Sequence, residues 1–579
     1  MGDNKGSTSA GNGKSQAGGA RQINPMHMLL PLALAQFINA YDTTAMNVAI
    51  SKVVANLHTT VSGVQSGLVI YSLVMASFMI TCSKLGEIWG LKRTFGLGVS
   101  LYGIGALITA FSINLGMMVF GWSLLEGIGS AFMIPAIFAL VAVLLPEGKP
   151  RLKGYALIGS AAAAGAALGP LLMGFWATLG PWTWRLSFCS EVLVVLIVLS
   201  TMRRIGKVPR SANPPKLDVI GAVLSASGLS LFVLGLLQAG PYGWVNSRVD
   251  VEVGGKVIIQ KGGISPVIPL AAAGLVVLAL FVLWQRHRTL RQKEPLVELS
   301  MFKKRAVALG LPAILALMFM EAGLLFIGPL FLQMSLGLNP LLSGLTLMPL
   351  TIFLILFSML SSKLTSRFSP KALVMFGMLL LPIGIILISL MLTYRPSAWQ
   401  MVPGLIIVGI GIGFANAPLL NMVQSAVPAK EQSDISGVNR AFSNLGGSMG
   451  TAIAGAVMIS VLISSFAGLV SANKFVPPSE KAHLLQVLPQ DASTVSNKQA
   501  RQYLSKKAFQ PDVKNALYDV NQAARNKGML AGLAATGILG FLGLLFSLFL
   551  PKGAVATKEE GGGKGDDPAR EAEPAEHGA

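Results

Sequence analysis

The sequence contains few cysteines, histidines and charged residues. Its two cysteines, Cys82 and Cys189, lie in or beside apolar runs, and their number and spacing fit neither a disulfide framework nor a cysteine-ligated metal site. The five histidines do not pair at ligand spacing, and no Walker loop or nucleophile–base motif is present. We therefore expect no metal, no cofactor, no ATP-driven pumping and no enzymatic activity.

Charged residues make up only 12% of the 579 residues, whereas hydrophobic residues make up 53%. Soluble globular proteins carry about 25% charged residues, so this composition predicts an integral membrane protein. The formal net charge of +20 comes from short basic clusters between apolar runs, not from one amphipathic face. The basic residues are therefore expected to set the membrane orientation rather than to bind nucleic acid.

Hydropathy in windows of about 19 residues predicts fourteen membrane-spanning helices. They lie at 28–53, 62–82, 95–112, 116–145, 154–178, 186–202, 219–239, 264–285, 307–333, 341–362, 371–393, 400–426, 435–466 and 527–550. Lys and Arg concentrate in the loops after even-numbered spans, which predicts that both termini are cytoplasmic and that the protein lies in the plasma membrane. The terminal segments 1–25 and 551–579 are predicted to be disordered, and the first is no signal peptide.

An acidic residue, Asp42, lies well inside the first span. A carboxylate near the middle of a spanning helix costs about 2.5–3.5 kcal/mol on insertion scales, and it is tolerated where it faces a bundle interior or a wet cavity. Glu126 and Glu321 also fall in the middle or outer half of their spans. Burial favours the protonated form of a carboxylic acid, so each is a candidate for proton coupling or for recognition of a cation. Structural hydrogen bonding inside the bundle is the alternative.

Several apolar residues are candidates for the lining of a substrate cavity, because aromatic and methionine side chains suit irregular ligands. Packing in the core or against lipid is the alternative for each. Arg440, near the inner end of the thirteenth span, either pairs with Asp434 or faces a cytoplasmic cavity. The full set of cavity candidates is Asn47, Trp122, Phe175, Trp176, Met320, Phe326, Phe414 and Arg440.

The loop Ser83–Thr94, SKLGEIWGLKRT, combines two glycines that permit a close reversal with an acid and three bases. It resembles the G-x-L-(A/G)-D-x-x-G-R-(K/R) loop of the major facilitator superfamily, with Ser83, Glu87 and Leu91 as departures. The resemblance implies a gating loop that helps to hold the two halves together in the outward-facing state. Its matched or equivalent residues are Gly86, Glu87, Gly90, Lys92 and Arg93.

The fifth span contains closely spaced glycines and a proline, which allow tight helix packing and a bend. It resembles the antiporter motif G-x-x-x-G-P-x-x-G-G of the same superfamily at Gly165, Gly169, Pro170 and Gly174. Met173 replaces one glycine of that motif. The resemblance implies a hinge or seal between the halves.

The stretch AYDTTAMNVAI around Asp42 resembles the L-D-x-T-I-V-N-V-A-L run of the fourteen-helix drug:proton antiporter branch, the EmrB/QacA-like multidrug exporters. That branch usually has R-x-x-Q-G-x-G in its fourth span, whereas here Ser123 replaces the Arg and Glu126 the Gln. Glu191 stands where Asn is common in the branch. Proton transfer through the missing Arg cannot be carried over to this chain.

The resemblance implies an all-α integral membrane protein of the major facilitator fold. An internal repeat, Ser83–Lys92 with Ser362–Lys371, favours two related halves. The expected division is a six-helix bundle at 26–205, an extra helix pair at 206–300 and a second six-helix bundle at 301–550. An alternating run around Gly254–Gly255 predicts a β-hairpin in the external loop 240–263. The loop 467–526 is also expected outside, and either loop lines a vestibule or is a solvated cover.

The predicted function is proton-coupled export of hydrophobic, cationic small molecules by alternating access around a central acidic cavity. The expected partners are these substrates, protons and membrane lipids, and the chain is expected to act as a monomer. Whether a periplasmic adaptor protein binds it is left open. Two alternatives remain: export or flipping of a lipid-like amphiphile on the same fold, and a non-transporting membrane receptor or assembly partner.

Overall fold

The computed structural model describes residues 25–146, 149–206, 208, 216–253, 256–394, 397–427, 432–474, 476, 481, 497, 501 and 511–552. The predicted disordered segments therefore lie outside the described residues, apart from positions 25, 551 and 552. The same holds for nearly all of the predicted external loop between positions 475 and 510, and for Gly254 and Gly255 at the predicted hairpin turn.

The described residues form fourteen helices of 17 residues or more. They are α1 (Pro25–Asn56), α2 (Val61–Trp89), α3 (Leu91–Ala110), α4 (Leu115–Leu144), α5 (Lys149–Leu179), α6 (Arg185–Thr201), α7 (Val219–Leu237), α8 (Val267–Leu290), α9 (Arg305–Met334), α10 (Pro340–Leu364), α11 (Pro370–Tyr394), α12 (Ala398–Gln424), α13 (Gln432–Ala472) and α14 (Pro511–Leu548). The predicted helical membrane architecture is confirmed.

Twelve of these helices are long and apolar enough to cross a membrane, and α1 and α3 are the two that are not counted. Polar residues such as Asn39, Asp42 and Asn47 dilute the apolar character of α1, and Lys92 and Arg93 dilute that of α3, which is only 20 residues long. The total of fourteen spans therefore stays a prediction.

The helices pack in two groups with a helix pair beside them. In the first group α1 packs on α5 and α6, and α4 packs on α2 and α3. In the second group α9 packs on α13 and α14, and α12 packs on α10 and α11. The groups meet where α2 contacts α13 and where α5 contacts α10, while α7 and α8 pack on each other and α7 also contacts α2 and α13.

Two details outside the helix packing bear on the predictions. Strands β1 (Val251–Val253) and β2 (Lys256–Ile259) pair antiparallel with Val253 opposite Lys256, in agreement with the predicted hairpin. The last turns of α13 and the first turns of α14 extend beyond the predicted spans, because their apolar faces continue and bury Phe466, Val470 and Leu517 against each other.

Candidate functional site

Asp42 is fully buried on α1, with 0% of its surface exposed. Its two carboxylate oxygens accept hydrogen bonds from the indole Nε1 of Trp122 on α4, at 2.8 Å and 3.0 Å. The Trp122 ring stacks on Tyr71 of α2, with centroids 5.5 Å apart and planes 13° apart. Asp42 therefore points into the interior of the first helix group, whereas the sequence predicted that it lines a chamber between the halves.

Glu126 on α4 and Glu191 on α6 join Asp42 in one cluster. A carboxyl oxygen of each of the three residues lies within 4.8 Å of the others. Glu126 is 0% and Glu191 2% exposed. We call Asp42, Glu126 and Glu191 the acidic cluster. Sequence reasoning noted Glu191 only as a departure from the branch pattern and did not place it at the site.

Neutral hydroxyl groups hold the two glutamates. The Tyr102 hydroxyl donates to Glu191 Oε2 at 2.6 Å, and the Thr109 hydroxyl donates to Glu126 Oε1 at 3.3 Å. Their other oxygens, Glu126 Oε2 and Glu191 Oε1, are buried and have no hydrogen-bond partner in the part of the chain that the structure describes. Each glutamate therefore keeps one oxygen available for a proton or a shared hydrogen bond.

A π-helical segment of α4, Val119–Glu126, carries both Trp122 and Glu126. Such wider turns change which side chains share a helix face, and they are frequent at functional sites. A glycine on the facing helix makes room for the cluster, because a Cβ at Gly105 would lie 2.6 Å from the Glu126 Cγ. Neither hydropathy nor spacing predicts this segment.

No Lys or Arg among the described residues forms an ion pair with the acidic cluster. Ser123, which replaces the Arg of the branch, donates instead to the Gly67 carbonyl at 2.8 Å. Like charges at this separation repel strongly where the dielectric constant is low, so three carboxyl groups in contact favour retaining protons as a set. Carboxyl oxygens also suit a hard metal cation, which takes six or more oxygen ligands. A proton needs only one carboxyl oxygen, and the acidic cluster supplies that without other ligands.

Glu321 lies apart from the cluster, on α9 of the second group. Its side chain is partly exposed, as are those of Met318 and Leu325, which share its side of the helix. Among the described residues Glu321 has neither a hydrogen bond nor an ion pair, whereas Phe319 and Met320 on other faces pack against α13 and α14. Since α9 also contacts α1, this helix lies at the boundary between the two helix groups.

The predicted cavity residues lie in several different packing environments among the described helices. Trp122 donates to Asp42 of the acidic cluster, and Asn47 donates to the Thr43 carbonyl of its own helix at 3.3 Å. Met320 faces Gly540 of α14, and Phe414 packs against Phe357 and Phe376. Phe326 is buried, Phe175 is exposed, and Phe175 contacts only Trp176 among aromatic rings of the described residues. Hydropathy places a residue on a span but does not give the direction of its side chain.

Arg440 bridges the two helix groups. Its guanidinium carbon lies 5.5 Å from the ring centroid of Phe138 on α4. Asp434, on the same helix, forms an ion pair with Lys84 of α2 at 3.8 Å. Whether Arg440 pairs with Asp434 or faces a cytoplasmic cavity stays a prediction.

The predicted gating loop makes its reversal at a single glycine. Gly90 has φ +98°, a conformation that glycine adopts without strain, and it separates α2 from α3. Gly86 lies within α2, so the second predicted turn position is helical. Lys92 donates to the Ile205 carbonyl, and Arg93 is exposed at the start of α3. Glu87 lies in the last turn of α2.

The antiporter-motif residues place α5 between two helices. Cβ atoms at Gly165 and Gly169 would lie 2.2 Å from the Phe37 carbonyl oxygen and from the Thr44 hydroxyl of α1. Gly174 and Pro170 instead contact α10, where a Cβ at Gly344 would lie 2.6 Å from the Pro170 oxygen. The motif therefore packs α5 against α1 and against the other helix group. Its role as a hinge or seal stays a prediction.

The sequence matches the family model of the Major Facilitator Superfamily over residues 32–451. The chain belongs to the Major Facilitator Superfamily. Among its relatives, it is 29% identical over 436 residues to the "Probable actinorhodin transporter" of Streptomyces coelicolor, covering 74% of this chain and 71% of the relative. It is 28% identical to the "Tetracenomycin C resistance and export protein" of Streptomyces glaucescens, covering 82% and 81%.

Solved structures support the superfamily fold. A bacterial homologue of the human lysosomal transporter Spinster, inward-facing and unoccupied, aligns with a TM-score of 0.59 at 15% identity, covering 91% of this chain and 97% of that one. A D-xylose–proton symporter aligns with a TM-score of 0.54 at 14% identity, covering 92% and 99%. This member of the Major Facilitator Superfamily is a multi-pass membrane transporter and not an enzyme, and the predicted family is confirmed.

Proposed function

We propose that this transporter exports hydrophobic small molecules in exchange for protons, with the acidic cluster as the proton-binding site. The observation that carries the proposal is the burial of Asp42, Glu126 and Glu191 with carboxyl oxygens within 4.8 Å of one another, without an ion-pair partner among the described residues. The name of one relative, a "Tetracenomycin C resistance and export protein", supports the direction of transport.

The chemistry follows from charge and dielectric constant. A protonated cluster is neutral and remains buried at little cost, whereas a deprotonated cluster concentrates negative charge where water is scarce. Loss of protons therefore favours the conformation that gives the cluster water, and proton uptake favours the closed one. Alternating exposure of the cluster to the two sides of the membrane links proton movement to the movement of the helix groups.

We extend the proposal to architecture and location. All fourteen helices span the plasma membrane, with both termini in the cytoplasm. Residues 26–205 and 301–550 form two six-helix bundles, residues 206–300 supply the extra pair, and the chain acts as a monomer in contact with membrane lipids. The acidic cluster lies inside one bundle, so Glu321 is the acid better placed to recognise a cationic substrate.

The proposal is tested by transport in proteoliposomes that carry a pH gradient, with ethidium as the probe. The Asp42→Asn protein is expected to fold and to lose gradient-driven ethidium transport. The control is Asp512→Asn, which changes an exposed acid at the start of α14. Normal gradient-driven transport by Asp42→Asn would remove the cluster from the mechanism.

Recognition of a cation by Glu321 needs a separate experiment. Glu321→Gln keeps the size of the side chain and removes its charge. We expect weaker binding of ethidium and unchanged binding of a neutral dye, Nile red. An equal effect on the binding of both dyes would show that Glu321 does not recognise the positive charge of the substrate.

A further inference from the structure

The two seams between the helix groups differ. We call the contact of α2 with α13 the closed seam. Gln65 Nε2 donates to the carbonyls of Thr451 and Ala452 at 2.8 Å and 3.2 Å, and the Ser448 hydroxyl donates to the Val69 carbonyl at 3.1 Å. At the other end of the same helices, Lys84 and Asp434 form an ion pair at 3.8 Å. The contact therefore extends over most of the length of α2.

The extra helix pair covers the closed seam. Val233 and Leu237 of α7 are buried in one cluster with Val69 and Leu73 of α2 and Ala452 of α13. A helix that packs on both sides of a seam keeps lipid away from it. Among the described residues, access from the bilayer to the space between the groups is therefore blocked on this side.

The second seam, between α5 and α10, is closed only at one end. A Cβ at Gly174 would lie 2.9 Å from the Leu341 Cα, and the Leu341 N–H lies 3.3 Å from the Thr178 hydroxyl that accepts its hydrogen bond. Pro170 and Gly344 extend this contact by about one turn. Nearer the predicted cytoplasmic end, the described glycines of α5 approach other helices or open space rather than α10.

The same helix faces are exposed where the contact ends. Ala156 lies 18 residues before Gly174, about five turns along the same face of α5, and it is exposed together with Ser160. A Cβ at Gly159 would meet no atom within 4 Å. On α10, the exposed fraction is 45% at Leu345 beside the contact and 42% at Ile352, and it reaches 64% at Met359. The two helices therefore diverge toward the predicted cytoplasmic side.

We propose that this gap between α5 and α10 is a lateral portal, through which amphiphilic substrates with a hydrocarbon tail pass from the adjacent membrane leaflet into the transporter. The inference rests on the proposed export function and names the substrate class. Small residues line one wall and Ile352, Leu356 and Met359 line the other, and this uncharged slot suits a tail. Lys153 and Lys363 are exposed at its end, where basic side chains reach lipid headgroups.

The portal is tested by obstructing it after the protein has folded. In a Cys82→Ala, Cys189→Ala background, Ser160→Cys is purified, labelled with pyrene maleimide and reconstituted; Leu356→Cys tests the opposite wall. The control is Val276→Cys, because Val276 is an exposed residue of α8, outside the gap. Octadecyl rhodamine is the probe that resides in the membrane, and ethidium is the probe added in water.

Labelling at either wall is expected to lower gradient-driven export of octadecyl rhodamine by about tenfold or more, equivalent to at least about 1.4 kcal/mol. Ethidium export by the labelled proteins, and both activities of the labelled control, should remain within about twofold of the unlabelled proteins, less than about 0.5 kcal/mol. Unchanged octadecyl rhodamine export at both walls, or equal loss of both probes, would overturn the portal. Wild-type protein that exports ethidium but not octadecyl rhodamine would also overturn it and leave the export function standing, whereas export of neither probe would refute that function.

Discussion

The indole N–H of Trp122 is shared between the two carboxylate oxygens of Asp42, at 2.8 Å and 3.0 Å. This contact joins α1 to the π-helical part of α4, one residue before the position where the related branch has Arg. Trp122 is a neutral donor, so it orients the carboxyl group of Asp42 but does not compensate its charge. Under the proposed function, this hydrogen bond holds Asp42 in place while the acidic cluster exchanges protons.

Replacement of Trp122 by Phe tests this orientation. Phe preserves an aromatic ring beside Tyr71 and removes the N–H donor. A hydrogen bond to a charged group contributes about 1.5–3 kcal/mol, so we expect gradient-driven ethidium transport to fall about tenfold or more while the protein remains folded. Transport at the wild-type rate would show that the contact is dispensable. The matched control is Trp399→Phe, because Trp399 is 82% exposed.

Glu191 gives a prediction about the number of protons. Glu191→Gln retains the size of the side chain and an oxygen that accepts the Tyr102 hydroxyl, and it removes one ionisable group from the cluster. We expect fewer protons to be exchanged per ethidium molecule, with ethidium affinity unchanged. Parallel measurement of proton and ethidium fluxes in the same vesicles gives the ratio, and an unchanged ratio would assign Glu191 to packing alone.

The same substitution, glycine to alanine, is expected to change the stability of the protein differently at two positions of α5. In Gly165→Ala the new methyl group would lie 2.2 Å from the Phe37 oxygen of α1, so the helices must separate. Overpacking of this kind costs about 1–3 kcal/mol. In Gly159→Ala the methyl group meets no atom within 4 Å, and we expect stability within about 1 kcal/mol of wild type. Thermal unfolding in one detergent compares them; equal effects would contradict the helix placement.

Asp218, at the N-terminus of α7 outside the spanning segment, gives a pH dependence. Burial acts to raise the pKa of Asp218, but hydrogen bonds from Trp284, the Gly221 N–H and Gln285, with Arg288 nearby, outweigh it and lower the pKa. A lowered pKa in the folded state gives stability that is present above the unfolded value, about 3.9, and is lost as the pH falls through the folded value.

The stability difference between wild type and Asp218→Asn is therefore expected to be largest near neutral pH and to shrink below about pH 4. Thermal unfolding of the two proteins over a pH series measures this difference. Asp512→Asn serves as the control, because Asp512 is exposed. A difference that does not change with pH would show that the Asp218 charge does not stabilise the fold.

The sequence was sufficient for the features that depend on composition along one helix. Apolar length located the spans, and the cost of a charge in lipid predicted that Asp42 is turned away from it. The glycines and Pro170 predicted that α5 packs closely against other helices, because small residues allow a close approach whichever helix is the neighbour. The alternating run predicted the pairing of β1 with β2, since both strands are close in the chain.

Contacts between distant helices were decided only by the tertiary structure. Glu191 reaches Asp42 because α6 packs on α1, and no local pattern encodes that approach. The π-helical turn that orients Trp122 and Glu126 depends on packing against α3 at Gly105. The directions of the aromatic cavity candidates could not be predicted for the same reason: in a chain rich in apolar residues, a side chain that faces a neighbouring helix and one that faces lipid look alike until the neighbour is known.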